Sequence, residues 1–151
     1  MVEKTLPRSN AKASDLMDVR FLLDTNICIH IRQRRPPGVL ARFQRLRPGE
    51  AAISVITYGE LAYGVEKSRF REQATKQLME LAGLLPVMGL PLRAGQFYGT
   101  IRAALEVKGE IIGNNDLWIA AHARAAGLTL VTNNEREFRR IQGLKIQNWV
   151  D

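Results

Sequence analysis

Residues 19–26 read VRFLLDTN, an apolar run that stops abruptly at Asp24 and passes into Thr25 and Asn26. A continuous run such as Phe21-Leu22-Leu23, without polar alternation, suits a strand covered on both faces, as in a parallel sheet. It predicts a first strand over VRFLLD and a helix over ICIHIRQ, with Thr25 and Asn26 available as caps. An acid placed directly after such a strand stands at its carboxyl end. Open α/β sheets bind their ligands there.

Reading outward, Pro36 and Pro37 break the first helix, and GVLARFQRL forms a second before Pro48 and Gly49. AAISVI, rich in small and β-branched residues, predicts the second strand. TYGE then opens one long helical pattern towards Gly83, with Leu61, Val65, Leu78 and Leu81 on its apolar face. LLPVM predicts a third strand, and Pro86 confines it to an edge or a strand start. Helical spacing returns from Leu92 to Val107 and ends near Gly109. A further helix runs from about Asn115 to Gly127. LTLVT reads as a central strand, NNEREFRR as a short helical or turn segment, and LKIQNWV as the last strand. Alternating strands and helices predict a three-layer α/β/α sandwich with a mainly parallel central sheet. Residues 1–19 read as a polar N-terminal extension, disordered or forming a short docked helix, and residues 20–151 as one domain.

With 22 Lys and Arg against 15 Asp and Glu, the chain carries a formal net charge of +7, which favours polyanionic partners. Cys28 is the single cysteine, so no internal disulfide forms and a reducing, cytoplasmic setting is expected. No apolar run reaches the roughly 18 residues of a membrane span. The segment MVEKTLPRSNAKASD has charges where a signal peptide needs apolar residues. One cysteine and two histidines make a structural zinc cluster unexpected. No Gly-x-Gly-x-x-Gly loop follows the first strand, which speaks against a dinucleotide enzyme.

Four acids, Asp24, Glu60, Asp116 and Glu137, stand where predicted strands hand over to helices or loops. Each has an ordinary local explanation. Asp24 can cap a helix, Glu60 can close a capping box with Thr57, Asp116 sits in a first helical turn, and Glu137 has Glu135 as a neighbouring rival. Four acids at four matching topological places are harder to dismiss together. Gathered in one crevice, they would repel one another unless a hard cation neutralised them, and such cations act naturally on phosphate. His30, His122 and Cys28 read as packing or surface residues.

FLLDTN, SVITYGELAYGVEKS, IGNNDLWIAAHA and LVTNNEREFRRIQGLKIQNW, taken in that order, resemble the PIN-domain ribonucleases. More narrowly they resemble the VapC toxins of bacterial type II toxin–antitoxin systems, over roughly residues 20–150. The resemblance makes residues 20–151 a PIN-like nuclease domain and Asp24, Glu60, Asp116 and Glu137 its acidic set. Asn134 falls where many members of the wider superfamily have another Asp. The Asn114–Asn115 pair before Asp116 is a mild variation bearing on substrate fit. It implies a Mg²⁺- or Mn²⁺-dependent endoribonuclease acting on RNA, including structured RNA such as tRNA. It also implies a homodimer held inactive by a cognate VapB-like antitoxin.

On that reading Asp24, Asp116 and Glu137 hold the metal, and Glu60 completes the shell or orients the attacking water. Thr25, Asn26 and Asn134 support them. RNA contacts are expected from two basic stretches: Arg32, Arg34, Arg35, Arg42, Arg45 and Arg47, and Arg136, Arg139, Arg140 and Lys145. Two other readings stay open from the residues alone. One is a DNA-directed metal nuclease with the same chemistry. The other is a non-catalytic nucleic-acid-binding regulatory domain in which the acids are caps and surface charges.

Overall fold

The computed structural model describes residues 18–150; the expected extension therefore lies, up to residue 17, outside the described residues. Five strands form one sheet, β1 (Phe21–Leu23), β2 (Ala51–Ser54), β3 (Val87–Met88), β4 (Thr129–Val131) and β5 (Ile146–Gln147). Every neighbouring pair is parallel, in the order β3-β2-β1-β4-β5. Seven helices accompany them among the described residues: α1 (Thr25–Gln33), α2 (Pro37–Gln44), α3 (Val55–Lys67), α4 (Arg71–Leu84), α5 (Ala94–Lys108), α6 (Asn114–Ala126) and α7 (Glu135–Phe138).

The three layers follow from the alternation of side chains along β1. Phe21 and Leu23 face a core shared with Ile27 and Ile31 of α1, Val39 of α2, Leu61 and Val65 of α3, Leu78 and Leu81 of α4, and Trp149. Leu22 faces the opposite core, with Ile101 and Leu105 of α5, Leu117, Ile119 and Ala120 of α6, and Phe138 of α7. Leu22 is wholly buried and pairs in register with Leu130 on one side and Ala52 on the other. Truncating such a residue to Ala costs about 2–5 kcal/mol.

The expected architecture stands, with local corrections. The second strand stops at Ser54, because the Ser54 hydroxyl accepts from the Ile56 amide and starts α3; Val55 and Ile56 belong to the helix. That earlier start puts Thr57 inside the helix, buried, and moves Glu60 from the first turn to the second. The Thr57–Glu60 capping box is thus replaced by a serine cap. The single long helix towards Gly83 is two helices: Ser68 is extended, and its hydroxyl accepts from the Phe70 amide. The last strand is only Ile146–Gln147. β3 begins directly after Pro86 at a sheet edge, as the missing amide donor requires. Gly109 and Gly127, both with φ of 68°, end α5 and α6 in the left-handed conformation that glycine adopts without strain.

The strand order creates the place for a site. From β1 the chain moves outward to β2 and β3, then returns to the other side of β1 to lay down β4 and β5. The direction reverses between β1 and β4, and open α/β sheets bind their ligands at the strand carboxyl ends beside such a reversal.

Candidate active site

Asp24 ends β1 on one side of this switch point and Thr132 ends β4 on the other. The Asp24 side chain is 4% exposed. Its Oδ1 accepts from the Ile27 amide at 3.0 Å, which makes Asp24 itself the cap of α1. The caps expected from Thr25 and Asn26 are not used: Asn26 is exposed, and Thr25 turns to another partner. Oδ2 of Asp24 accepts from the Thr132 hydroxyl at 2.5 Å. The same hydroxyl oxygen accepts from the Asn134 amide at 2.9 Å, and Asn134 Nδ2 donates to Glu137 Oε1 at 2.9 Å. One chain of hydrogen bonds therefore links Asp24 to Glu137 across β1 and β4.

Glu60 is held from two sides. Its Oε1 accepts from the Thr25 hydroxyl, and its Oε2 accepts from Asn115 Nδ2 at 3.3 Å. Thr25 opens α1 after β1, Glu60 belongs to α3 after β2, and Asn115 to the start of α6. Asp116, one residue further on, lies in the first turn of α6, whose cap Gly113 supplies no side chain. Tyr98 on α5 stacks on Trp118, with ring centroids 4.0 Å apart, and its hydroxyl donates to Asn114 Oδ1. The two asparagines before Asp116 thus tie its loop to α5 and to Glu60.

The electrostatics register the convergence. Asp116 is pushed up to about 6, first by burial and then by the charges of Glu60, Asp24 and Glu137. Asp24 is also raised, chiefly by burial and further by Glu60. Thr132, the Ile27 amide and His30 pull against that rise. Three acids scattered from position 24 to 137 thus act on Asp116, and one of them, Glu60, also acts on Asp24. Among the described residues, no three His, Cys, Asp or Glu side chains form a ready-made cage. Glu135, the rival to Glu137, is engaged elsewhere, accepting from Arg139 at 2.7 Å and from Asn148 at 2.8 Å.

Sequence reading missed Thr132 and gave Asn115 only an indirect part. A threonine ending LTLVT looks like an ordinary strand residue until the neighbour of its strand is known. A buried polar pair was also missed. His122 Nδ1 lies 2.9 Å from the Ser54 hydroxyl, joining the start of α3 to α6, and burial lowers His122 to about 4. His30 bonds the Arg35 carbonyl, and Cys28 is fully buried, as packing roles require.

The basic candidates divide. Arg32, Arg34, Arg35, Arg45, Arg136 and Lys145 are exposed. Since α1 starts at the crevice, its last residues stand roughly 13 Å along its axis from Asp24. Arg42 donates to Gln147 Oε1 at 3.2 Å and covers Trp149, while Arg47 lies by Glu50 and Arg139 by Glu135. Arg140 donates to the Glu110 and Ile111 carbonyls at 3.4 and 3.2 Å.

Residues 21–144 match the PIN domain family model. The chain is 41% identical over 132 residues to "Ribonuclease VapC2" of Haemophilus influenzae, covering 87% of this chain and 99% of that relative. It is 40% identical over 131 residues to "tRNA(fMet)-specific endonuclease VapC" of Shigella flexneri, covering 87% and 98%. Among solved structures, VapBC2 of Rickettsia felis, bound to a DNA fragment from its promoter, superposes with a TM-score of 0.81. It shares 41% identity and covers 87% of this chain and 99% of the other. DNA-bound VapBC of Salmonella typhimurium also superposes with a TM-score of 0.81, at 40% identity over 87% and 98%. The chain belongs to the PIN-domain family, as a ribonuclease of the VapC toxin group.

Proposed function

We propose that this protein hydrolyses phosphodiester bonds of tRNA, with Mg²⁺ or Mn²⁺ held by Asp24, Asp116 and Glu137 and with Glu60 serving the attacking water. The observation that supports this reading is the raised pKa of Asp116, driven after burial by the three other acids. A carboxyl whose ionisation is opposed by neighbouring carboxylates is stabilised in its charged form by a divalent cation. An all-oxygen donor set suits Mg²⁺ or Mn²⁺ rather than softer metals. Mg²⁺ keeps several of its own waters and takes few protein ligands, so three carboxylates would be enough to hold it.

When bound, the cation neutralises the acids and polarises a phosphate oxygen, which favours in-line attack. The chain's own residues prepare the rest. The Ile27 amide and the Thr132 hydroxyl fix both oxygens of Asp24 and oppose its protonation. Asn134 sets the direction of Glu137. Thr25 and Asn115 donate to opposite oxygens of Glu60, leaving lone pairs to take a proton from water. Water adds to phosphorus and the 3′-oxygen departs with a proton, giving a 5′-phosphate and a 3′-hydroxyl.

The tRNA assignment draws on the relatives named as tRNA(fMet)-specific endonucleases. A VapB-like antitoxin is the expected inhibitor, since the VapC-like structures were solved as VapBC complexes. A homodimer and a cytoplasmic location belong to the same reading; no helix among the described residues is long and apolar enough to cross a membrane. The test is cleavage of total tRNA by antitoxin-free protein in Mg²⁺ or Mn²⁺, in EDTA, and by Asp116→Asn. Fragments with 5′-phosphates, lost in EDTA and in the variant, support the reading. Activity on matched DNA but not RNA would replace it with a DNA nuclease.

A further inference from the structure

A nuclease whose centre is four carboxylates repels the polyanion it cuts, so affinity has to come from cations placed outside that centre. The arginine-rich stretch between Arg32 and Arg47 is divided: Arg32 and Arg34 line one cavity, which Glu80 shares, and Arg47 lines another. Another group converges on a single cavity. A cavity of about 390 Å³ lies between α5, α6 and the segment after α7, and Lys108, Arg124 and Arg140 all line it. Among the described residues no carboxylate does. Ile101, Leu105 and Ile141 supply an apolar wall.

Two of the three cations are fixed in place. Arg124 Nη1 donates to the Gln142 carbonyl at 2.6 Å, and its guanidinium lies 5.0 Å from the centre of the Phe97 ring. The guanidinium also rests against Gly143, where an added Cβ would fall 2.8 Å from Nη1. With φ of 82° as well, position 143 takes glycine both for its backbone and for the space Arg124 fills. Arg140 is anchored by the Glu110 and Ile111 carbonyls. Each guanidinium has five N–H donors, so both retain donors beyond those bonds. Lys108 makes no hydrogen bond or ion pair among the described residues. Its nearest acid along α5, Glu106, is paired with Arg102.

The cavity is also coupled in sequence to the acidic crevice. The Arg140 amide bonds the Glu137 carbonyl at 3.1 Å, and the carbonyls Arg140 grips belong to the strap leading into Asp116. We infer that Lys108, Arg124 and Arg140 form a phosphate anchor for a nucleotide of the RNA substrate flanking the one cleaved, with its sugar or base against the apolar wall. This rests on the ribonuclease reading. Two preset guanidiniums hold the phosphate at little ordering cost, and the free Lys108 ammonium closes over it.

Lys108 is the position to test, because Arg124 also staples a loop and its loss would disturb folding. Binding of labelled tRNA in EDTA is measured over a KCl series for wild type, Lys108→Ala and Lys76→Ala, an equal charge loss on α4. Steady-state cleavage in Mg²⁺ follows with the same three proteins. Lys108→Ala should weaken binding by about tenfold at low salt and flatten the salt dependence by roughly 0.7–0.9 in log–log slope. KM should rise by the same factor with kcat held, and Lys76→Ala should match wild type. A Lys108→Ala protein that binds like wild type overturns the anchor, as does equal weakening by both lysines, which would mark a diffuse field. Binding that depends on Lys108 without any cleavage would sustain the anchor and overturn tRNA hydrolysis. Cleavage indifferent to Lys108 would do the reverse.

Discussion

Asp24 and Thr132 stand 108 residues apart in the chain, yet the Thr132 hydroxyl donates to Asp24 Oδ2 at 2.5 Å across the switch point. The bond joins the ends of the two adjacent strands that carry the crevice. Thr132→Val keeps the shape and leaves a buried carboxylate oxygen without its donor, and the Asn134 amide without its acceptor. We expect a stability loss of about 1–3 kcal/mol and a fall in cleavage rate. Thr132→Ser should restore both. Thermal unfolding in EDTA beside initial rates in Mg²⁺ reads the two effects.

Asp116 predicts an unusual sign. Its native pKa is raised to about 6, so its stabilising contribution is complete below its ordinary value near 3.8 and disappears as pH rises through about 6. Above that, the ionised group burdens the metal-free protein, on the order of 1 kcal/mol once solvent screening is allowed for. Asp116→Asn should therefore raise the melting temperature of the metal-free protein at pH 7.5. Added Mg²⁺ should stabilise wild type and leave the variant nearly unmoved. A variant less stable than wild type in EDTA would contradict this.

On the proposed metal site, the same group would set the acid limb of activity. Protons and the cation would then compete for Asp116, so cleavage at limiting Mg²⁺ should reach half its maximum near pH 6. Each tenfold increase in Mg²⁺ should move that midpoint to lower pH, by up to about one unit. Rate–pH profiles at several Mg²⁺ concentrations measure the displacement. A midpoint fixed at every concentration would assign the limb to another group.

His122 acts in the opposite direction. Burial lowers it to about 4, so the unfolded chain takes up a proton that the native state refuses. Stability is lost as pH falls from about 6.5 towards 4, on the order of 2 kcal/mol across that window. Denaturant unfolding at a series of pH values should show a flatter profile for His122→Gln than for wild type. Parallel profiles would mean that His122 does not drive the acid loss.

Much of the molecule was legible in the chain because its signals are local. The unbroken apolar runs Phe21–Leu23 and Leu130–Val131 announce buried parallel strands, and Gly109 and Gly127 announce helix ends. The four acids were legible as positions relative to strands, and parallel topology turned those positions into proximity. What escaped the sequence was choice among equivalent neighbours. Ser54 and Thr57 can each cap a helix, and it is the Ser54 hydroxyl that takes the Ile56 amide while Thr57 lies buried within α3. Thr25 looked like a cap, but a partner 35 residues away took its hydroxyl. Thr132 and His122 gain meaning only from residues that strand order and helix packing bring beside them.

The double engagement of Asp24, capping α1 with one oxygen while the other faces the crevice wall, merges two liabilities into one position. A cell escaping a harmful nuclease by exchanging Asp24 for Ala removes the acid and frays the helix behind it. Loss of such a cap alone costs about 1 kcal/mol, enough to lower the amount of folded protein in vivo. Asn, able to cap without the charge, would remove the proposed metal ligand and spare the scaffold. The two substitutions therefore separate loss of the charge from loss of the cap.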